Sequence, residues 1–527
     1  MKNNLLTTAL LISFIFSFSQ ASLVKDIMVG STNGINITTE LFKYNDKILF
    51  KSFGGQLAVS DGTETGTFPI RIGAIGNSST PDEFTLNPAT NEVLFSADGP
   101  SPPDNSAREL WKTDGTLVGT SLVYDFTNAN GWNSNPRYLC EMNGIIYCRT
   151  DLVSNPPQLG YSDGTFSGSG FINTGSPGSS AYPENLFAFN GNIFFTGWGD
   201  LWISDGTQQG TSFVKNINLS SDSDPDDYVV FNNKLYFTAD DGIHGRELWV
   251  TDGTANGTQL VVDVNNGPSD SNIQNLTVFS NKLYFSADSS NSGNEIHYIT
   301  TSESLILYRD INPGSASSNP SNFKVFNGQL YFSADNGTNG IELWRADGSV
   351  FGIGLFKDIN TTGSSSPIGF QQYNGNLYFS ANDGTNGEEL WMTDGTASGT
   401  VLIADINPGA AGSLPRSLVD VDGELLFHAV DVTNGRELWK YFDPALSVSD
   451  LDNQELLKLS PNPAKNSFTI SNNLDVTDIA IYDVQGKLTK QFNNHLNEYI
   501  IEDLSPGLYF VKIKAENREE TLKLMKQ

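Results

Sequence analysis

Short apolar runs recur along the chain, separated by clusters of Gly, Asn, Asp and Ser. "LYFSA" stands at 283–287, 330–334 and 377–381. Runs this short, apolar with little alternation, read as β-strands covered on both faces. Asn327-Gly328 lies between two such runs, and both residues tolerate positive φ, so it marks a two-residue hairpin. Within 305–346, "LILYRDI", "NFKVF", "QLYFSA" and "IELWRA" read as the four strands of one unit, with "DNGTNG" as a longer turn. No segment sustains a 3.6-residue period, so helices are not expected.

The pattern repeats. The Asp of "DGT" falls at Asp61, Asp114, Asp163, Asp205, Asp252, Asp347 and Asp394. Two degenerate copies place Thr300 and Phe442 at that position, which makes nine units. A period near 47 residues marks a repeat architecture, and four antiparallel strands in that length make one propeller blade. The expected fold is all-β: a β-propeller of about nine four-stranded blades, then a small β-sandwich. Eight blades is the fallback, since propellers usually have about four to eight. "SLVKDI" at 22–27 matches the strand after "DGTxxGT", and the ninth unit stops after "ELWK". Residues 22–27 are therefore expected to complete the last blade and close a ring.

The ends differ from the repeats. "MKNNLLTTALLISFIFSFSQAS" has one Lys, an apolar run and small residues, the pattern of a secretory signal peptide over 1–21, cleaved between Ala21 and Ser22. Its apolar stretch is short for a membrane span, and no transmembrane segment is expected in the mature form. The repeat region runs from 22 to 442 and a linker from 443 to 458. Residues 459–527 alternate in short strands between Asn/Pro/Gly turns, a sandwich pattern.

Two resemblances follow from these residues. The units resemble the ELWxxDGT repeat of secreted Bacteroidetes proteins, most strongly from about 190 to 440. The Trp position is lost at Ala58, Gly160 and His297. The tail resembles the C-terminal sorting domain of the type IX secretion system through Pro461-Asn462-Pro463, Tyr482-Asp483 with Gly486, Pro506-Gly507 with Tyr509, and the basic end Lys523–Lys526. This second resemblance implies passage through the periplasm to the medium or outer cell surface, with the type IX machinery as a partner.

Charge narrows the partners. A formal net charge of −30 argues against nucleic acid and anionic membranes, which need basic patches. Carboxylates such as Asp240, Asp241, Glu247 and Asp252 could bind Ca²⁺, but the spacing lacks a dense DxDxDG loop. Asp in an Asx turn and Glu accepting backbone N–H bonds is the stronger reading, so no cofactor or metal is expected. Six of eight Trp residues are repeat positions and read as packing. Trp132 and Trp198 have no repeat counterpart and are the ligand-binding candidates.

No catalytic residue stands out. His244, His297, His428 and His495 show no metal-ligand spacing, and Arg71, Arg137, Arg149, Arg309 and Arg416 are scattered in sequence. Paired carboxylates leave glycoside chemistry open. The reading is a non-catalytic propeller that binds an extracellular glycan or protein; the alternative is a polysaccharide hydrolase or lyase. For the two cysteines, a two-residue turn at Asn143-Gly144 pairs Met142 with Ile145 and Cys140 with Tyr147, which puts Cys148 on the opposite face from Cys140.

Overall fold

The structure, a computed structural model, describes residues 21–72, 78–99, 107–127, 133–152, 155–173, 181–442, 458–471, 476–483, 487–492, 498–515 and 518–527. The leader 1–20, Trp132, linker residues 443–457, Gly486 and His495 lie outside them. The chain divides at 446/447 into two compact units.

The first unit holds nine four-stranded antiparallel sheets. Blade 1 spans residues 42–70, blade 2 82–124, blade 3 137–172, blade 4 184–215 and blade 5 226–262. Blade 6 spans 274–309, blade 7 321–357 and blade 8 368–404. Blade 9 joins three strands of 416–441 to the N-terminal strand Ser22–Lys25. One strand of the sequence reading moves: Leu305–Arg309 is the fourth strand of blade 6, not the first of blade 7. The short turn before it keeps it hairpinned to Gly293–Ile299, whereas the segment after it crosses to the next sheet.

Nine apolar clusters bridge successive blades and make the ring. The strands behind "LYFSA" are buried on both faces: Leu330, Phe332 and Ala334 join the blade 6/7 cluster, and Tyr331 joins the 7/8 cluster. The ninth cluster sets Val24, Val421, Leu426 and Leu438 against Ile48 and Phe50, packing blade 9 on blade 1. Ser22 pairs with Lys440 and Leu23 with Trp439, so the first strand fills the last blade's open edge.

The repeated residues build this ring. In the DGT turn, Asp252 Oδ1 accepts from Thr254 N and Oγ1 at 2.9 and 2.7 Å, and Thr254 Oγ1 accepts from Gly257 N at 2.9 Å. A Cβ on Gly257 would collide with the Asp252 carboxylate, so only glycine fits there. The Glu of "ELW" is fully buried and reaches into the crossover toward the next blade. Glu342 accepts from Ile359 N, Ser365 N and Ser365 Oγ at 2.7, 2.9 and 2.6 Å. Glu437 does the same at the seam, accepting from Ile27 N and Gly34 N at 2.9 and 2.7 Å. Cys140 pairs with Tyr147 in the register expected.

The second unit places a three-stranded sheet and a four-stranded sheet around one core of Leu459, Phe468, Ile481, Tyr499, Val511 and Leu524. Its sequence signature is structural. Asn462 donates to Lys523 O and accepts from Met525 N, at 2.7 and 2.9 Å, and Tyr509 donates to Ser505 O.

Burial pushes the Glu437 carboxyl up to about 7, from an ordinary 4.5. Such a group holds its proton more tightly folded than unfolded. Its contribution to stability is full below the ordinary value and is lost as pH rises through about 7. The ring's melting temperature should fall between about pH 5 and pH 8, and less steeply in Glu437→Gln; an unchanged slope in that variant would remove Glu437 from the linkage.

Candidate functional site

Each blade's first strand lies innermost, since these strands contact one another around the ring. Each begins at the end of its sheet that also carries the crossover and the turn between strands two and three. This crossover face has a repeated backbone device that the sequence reading missed. The chain enters most blades as Ser-x-Pro, the x residue at positive φ: Thr80 at 37°, Asn135 at 43°, Asp224 at 43° and Leu414 at 50°. A second positive φ falls two residues after the Pro, where every one of these strands shifts register.

Because eight blades share it, this strain is architectural. Residue identity is what varies. Most blades put Asn, Asp, Ser or Gly at the second position, residues that tolerate the left-handed region. Blades 2 and 3 put Glu83 at φ 60° and Tyr138 at 56°. A bulky residue kept in a costly conformation marks a place where side-chain chemistry matters.

The residue pair that opens each first strand gives the same signal. It is Gln274–Ser286, Ser321–Ser333 and Ile368–Ser380 in blades 6 to 8, all neutral. In blade 3 it is Arg137–Arg149, and in blade 9 Arg416–His428. Three of the five arginines that look scattered in sequence thus occupy one tier of the ring. The ring's curvature brings together what a 47-residue spacing keeps apart. Lys51 holds the matching second-strand position in blade 1, where six blades carry Ser or Thr.

Not all of these charges are available. Arg149 pairs with Glu184 of blade 4 and lies 3.6 Å from Asp151. Arg416 pairs with Glu388 at 2.5 Å. Arg108 donates to Thr80 O at 2.8 Å. His428 sits in the ring seam, with its Nε2 2.9 Å from Thr39 O and its Nδ1 3.0 Å from Arg436 Nη1. Burial and the neighbouring Arg436 hold its pKa down to about 3, so the ring stays neutral, donating through Nε2.

Two cavities open here, of about 530 and 470 Å³. They share Lys51, Asp82 and Glu83; the larger extends past Thr39 and Phe42, the smaller past Arg108, Arg137 and Tyr138. Glu83 accepts from Leu139 N at 3.2 Å, and burial raises its pKa.

Trp198 lies on the same face, in the tight turn between strands two and three of blade 4. It is 55% exposed at φ 53°, and Tyr182 meets it edge-on with ring centroids 5.1 Å apart. Five repeat Trp residues, among them Trp391, are buried, whereas Trp202 is only partly so. Among the described residues no group of three or more His, Cys, Asp or Glu could hold a metal ion. No described helix is long and apolar enough to cross a membrane. Aligning the nine units for departures from consensus would have found Lys51, Glu83 and Tyr138; reading each motif alone did not.

Residues 458–527 match the family described as a secretion system C-terminal sorting domain. No curated protein matches the chain. Among solved structures it is similar to PorZ, a surface component of the type IX secretion system of Porphyromonas gingivalis, at 11% identity over 92% of this chain and 75% of that one, TM-score 0.34. It is similar to the extracellular domain of BT4673, a one-component system from B. thetaiotaomicron, at 10% over 94% and 82%, TM-score 0.35. It is also similar to a puromycin-hydrolyzing peptidase of Mycobacterium tuberculosis, at 10% over 56% and 48%, TM-score 0.36. Likeness at this level assigns no activity.

The two kinds of Trp should separate in unfolding experiments. Trp198→Ala should change stability by no more than about 0.5 kcal/mol, and Trp391→Ala should cost roughly 3–5 kcal/mol. Equal losses in chemical denaturation would mean that Trp198 is scaffold.

Proposed function

We propose that the ring is a secreted, non-catalytic module that binds an extracellular glycan on its crossover face. The observation that carries this reading is the exposed Trp198 ring, held edge-on by Tyr182, one blade from a mouth lined with carboxylates, Arg and Tyr. A flat aromatic surface stacks on the apolar face of a sugar, and charged groups beside it bond the hydroxyls. The reading needs no cofactor. The type IX machinery is the partner for export, and the ELWxxDGT resemblance of the repeats fits a protein displayed or released outside the cell. A polysaccharide hydrolase or lyase is the second reading, favoured by Glu83, a carboxyl with raised pKa on a cavity wall.

A glycan array on residues 22–442, run beside a product assay on the same glycans, separates the two. Binding without product is expected, with Trp198→Ala weakening it by roughly 1–3 kcal/mol, taking base stacking as the guide. Product released by wild type and lost in Glu83→Gln would establish the enzyme instead. For the tail, removal of 448–527 should leave the folded ring in the periplasm. A truncated protein recovered from the medium at normal yield would refute the sorting role.

A further inference from the structure

The smaller cavity is unusual for this molecule. The chain carries 60 acidic against 30 basic residues, yet three cations, Lys51, Arg108 and Arg137, line this one cavity with two carboxylates, Asp82 and Glu83. The carboxylates are already engaged by main chain: Glu83 accepts from Leu139 N at 3.2 Å, and Asp82 Oδ1 from Glu83 N at 3.0 Å. Arg108 is engaged too, by the Thr80 carbonyl and by Asp98 at 3.6 Å. The Lys51 ammonium and the Arg137 guanidinium have no acceptor among the described residues.

Both side chains reach water, Arg137 exposed and Lys51 half-buried, so their donors are free to turn to an acceptor group that enters the cavity. What sets Lys51 and Arg137 apart is that they share one cavity. Both depart from the repeat: six blades carry Ser or Thr at the Lys51 position, and blade 6 carries Gln274 at the Arg137 position. We propose that this cavity takes the anionic group of a sugar, a uronate carboxylate or a sulfate ester, with Lys51 and Arg137 as its donors. The inference rests on the glycan reading and narrows it to acidic polysaccharides. Arg137 presents a fork that fits two oxygens of such a group, and Lys51 supplies a point charge. The wider net charge of −30 would repel the same polymer elsewhere and so favour one orientation at this mouth.

The test compares one polymer with and without its charge. Binding of residues 22–442 is measured to polygalacturonate, to its carboxyl-reduced form, to a sulfated galactan and to a neutral glucan, at low and high salt. Wild type is expected to prefer a charged polymer roughly tenfold or more, less so as salt rises. Lys51→Ser and Arg137→Gln, which install what sister blades carry, should abolish that preference with unchanged melting temperature. Preference for the sulfated polymer with the same loss supports the proposal and names sulfate as the group. Equal binding of charged and reduced polymers, or full preference in both variants, overturns the inference while the glycan reading stands. Binding to none of the four overturns the glycan reading itself.

Discussion

A buried Glu carboxyl, present in six of the nine blades, sets the geometry on which the rest depends. A carboxylate taken out of water is costly unless donors surround it. Here the donors come from the crossover to the following blade: Glu389 collects Ile406 N, Asn407 N and Ser413 Oγ at 3.0, 3.1 and 2.5 Å. The contact fixes where the crossover turns, and so where the next innermost strand starts. Departures from it differ from blade to blade: blade 1 has Gln56 in place of the Glu, while its crossover keeps Ser79. Blade 3 has Gln158 in place of the Glu, and the crossover it faces has Ala181 in place of the Ser. Blade 4 substitutes Asp200, whose shorter reach leaves Ser223 Oγ 3.4 Å away.

With the crossovers fixed, the apolar strands need only fill the space between sheets, which is why their order hardly alternates. The crossover face is then free to vary. Blades 6 to 8 keep it neutral, while the other six blades load the same tier with charge, blade 1 through Lys51. A ring of near-identical parts thus acquires one chemically distinct sector without any change in the parts that hold it together.

Much of this was legible in the sequence. The nine units, four strands each, and the strand lent by residues 22–25 follow from period and turn chemistry, which are local. The self-bonded DGT turn follows from Asp, Thr and Gly at fixed offsets. The phase of each unit was not legible, because Leu305–Arg309 has the same apolar composition whichever sheet it joins; the crossover decides. Nor was the clustering of Arg137, Arg149 and Arg416, since closure of a ring places residues by angle around an axis. Trp198 could be picked out for lacking a repeat counterpart, but its edge contact with Tyr182 depends on a backbone turn that only the fold supplies.

The strand that closes the ring is the first of the propeller to be synthesised, and its partner Gly435–Tyr441 is the last. Until both exist, the growing chain is an arc of sheets with a bare edge at one end and an unattached strand at the other, the condition in which sheets recruit foreign strands. Contacts between such distant parts form late and slowly. Closure therefore depends on the whole ring: an arc missing its final repeat has no edge for Ser22–Lys25 to occupy.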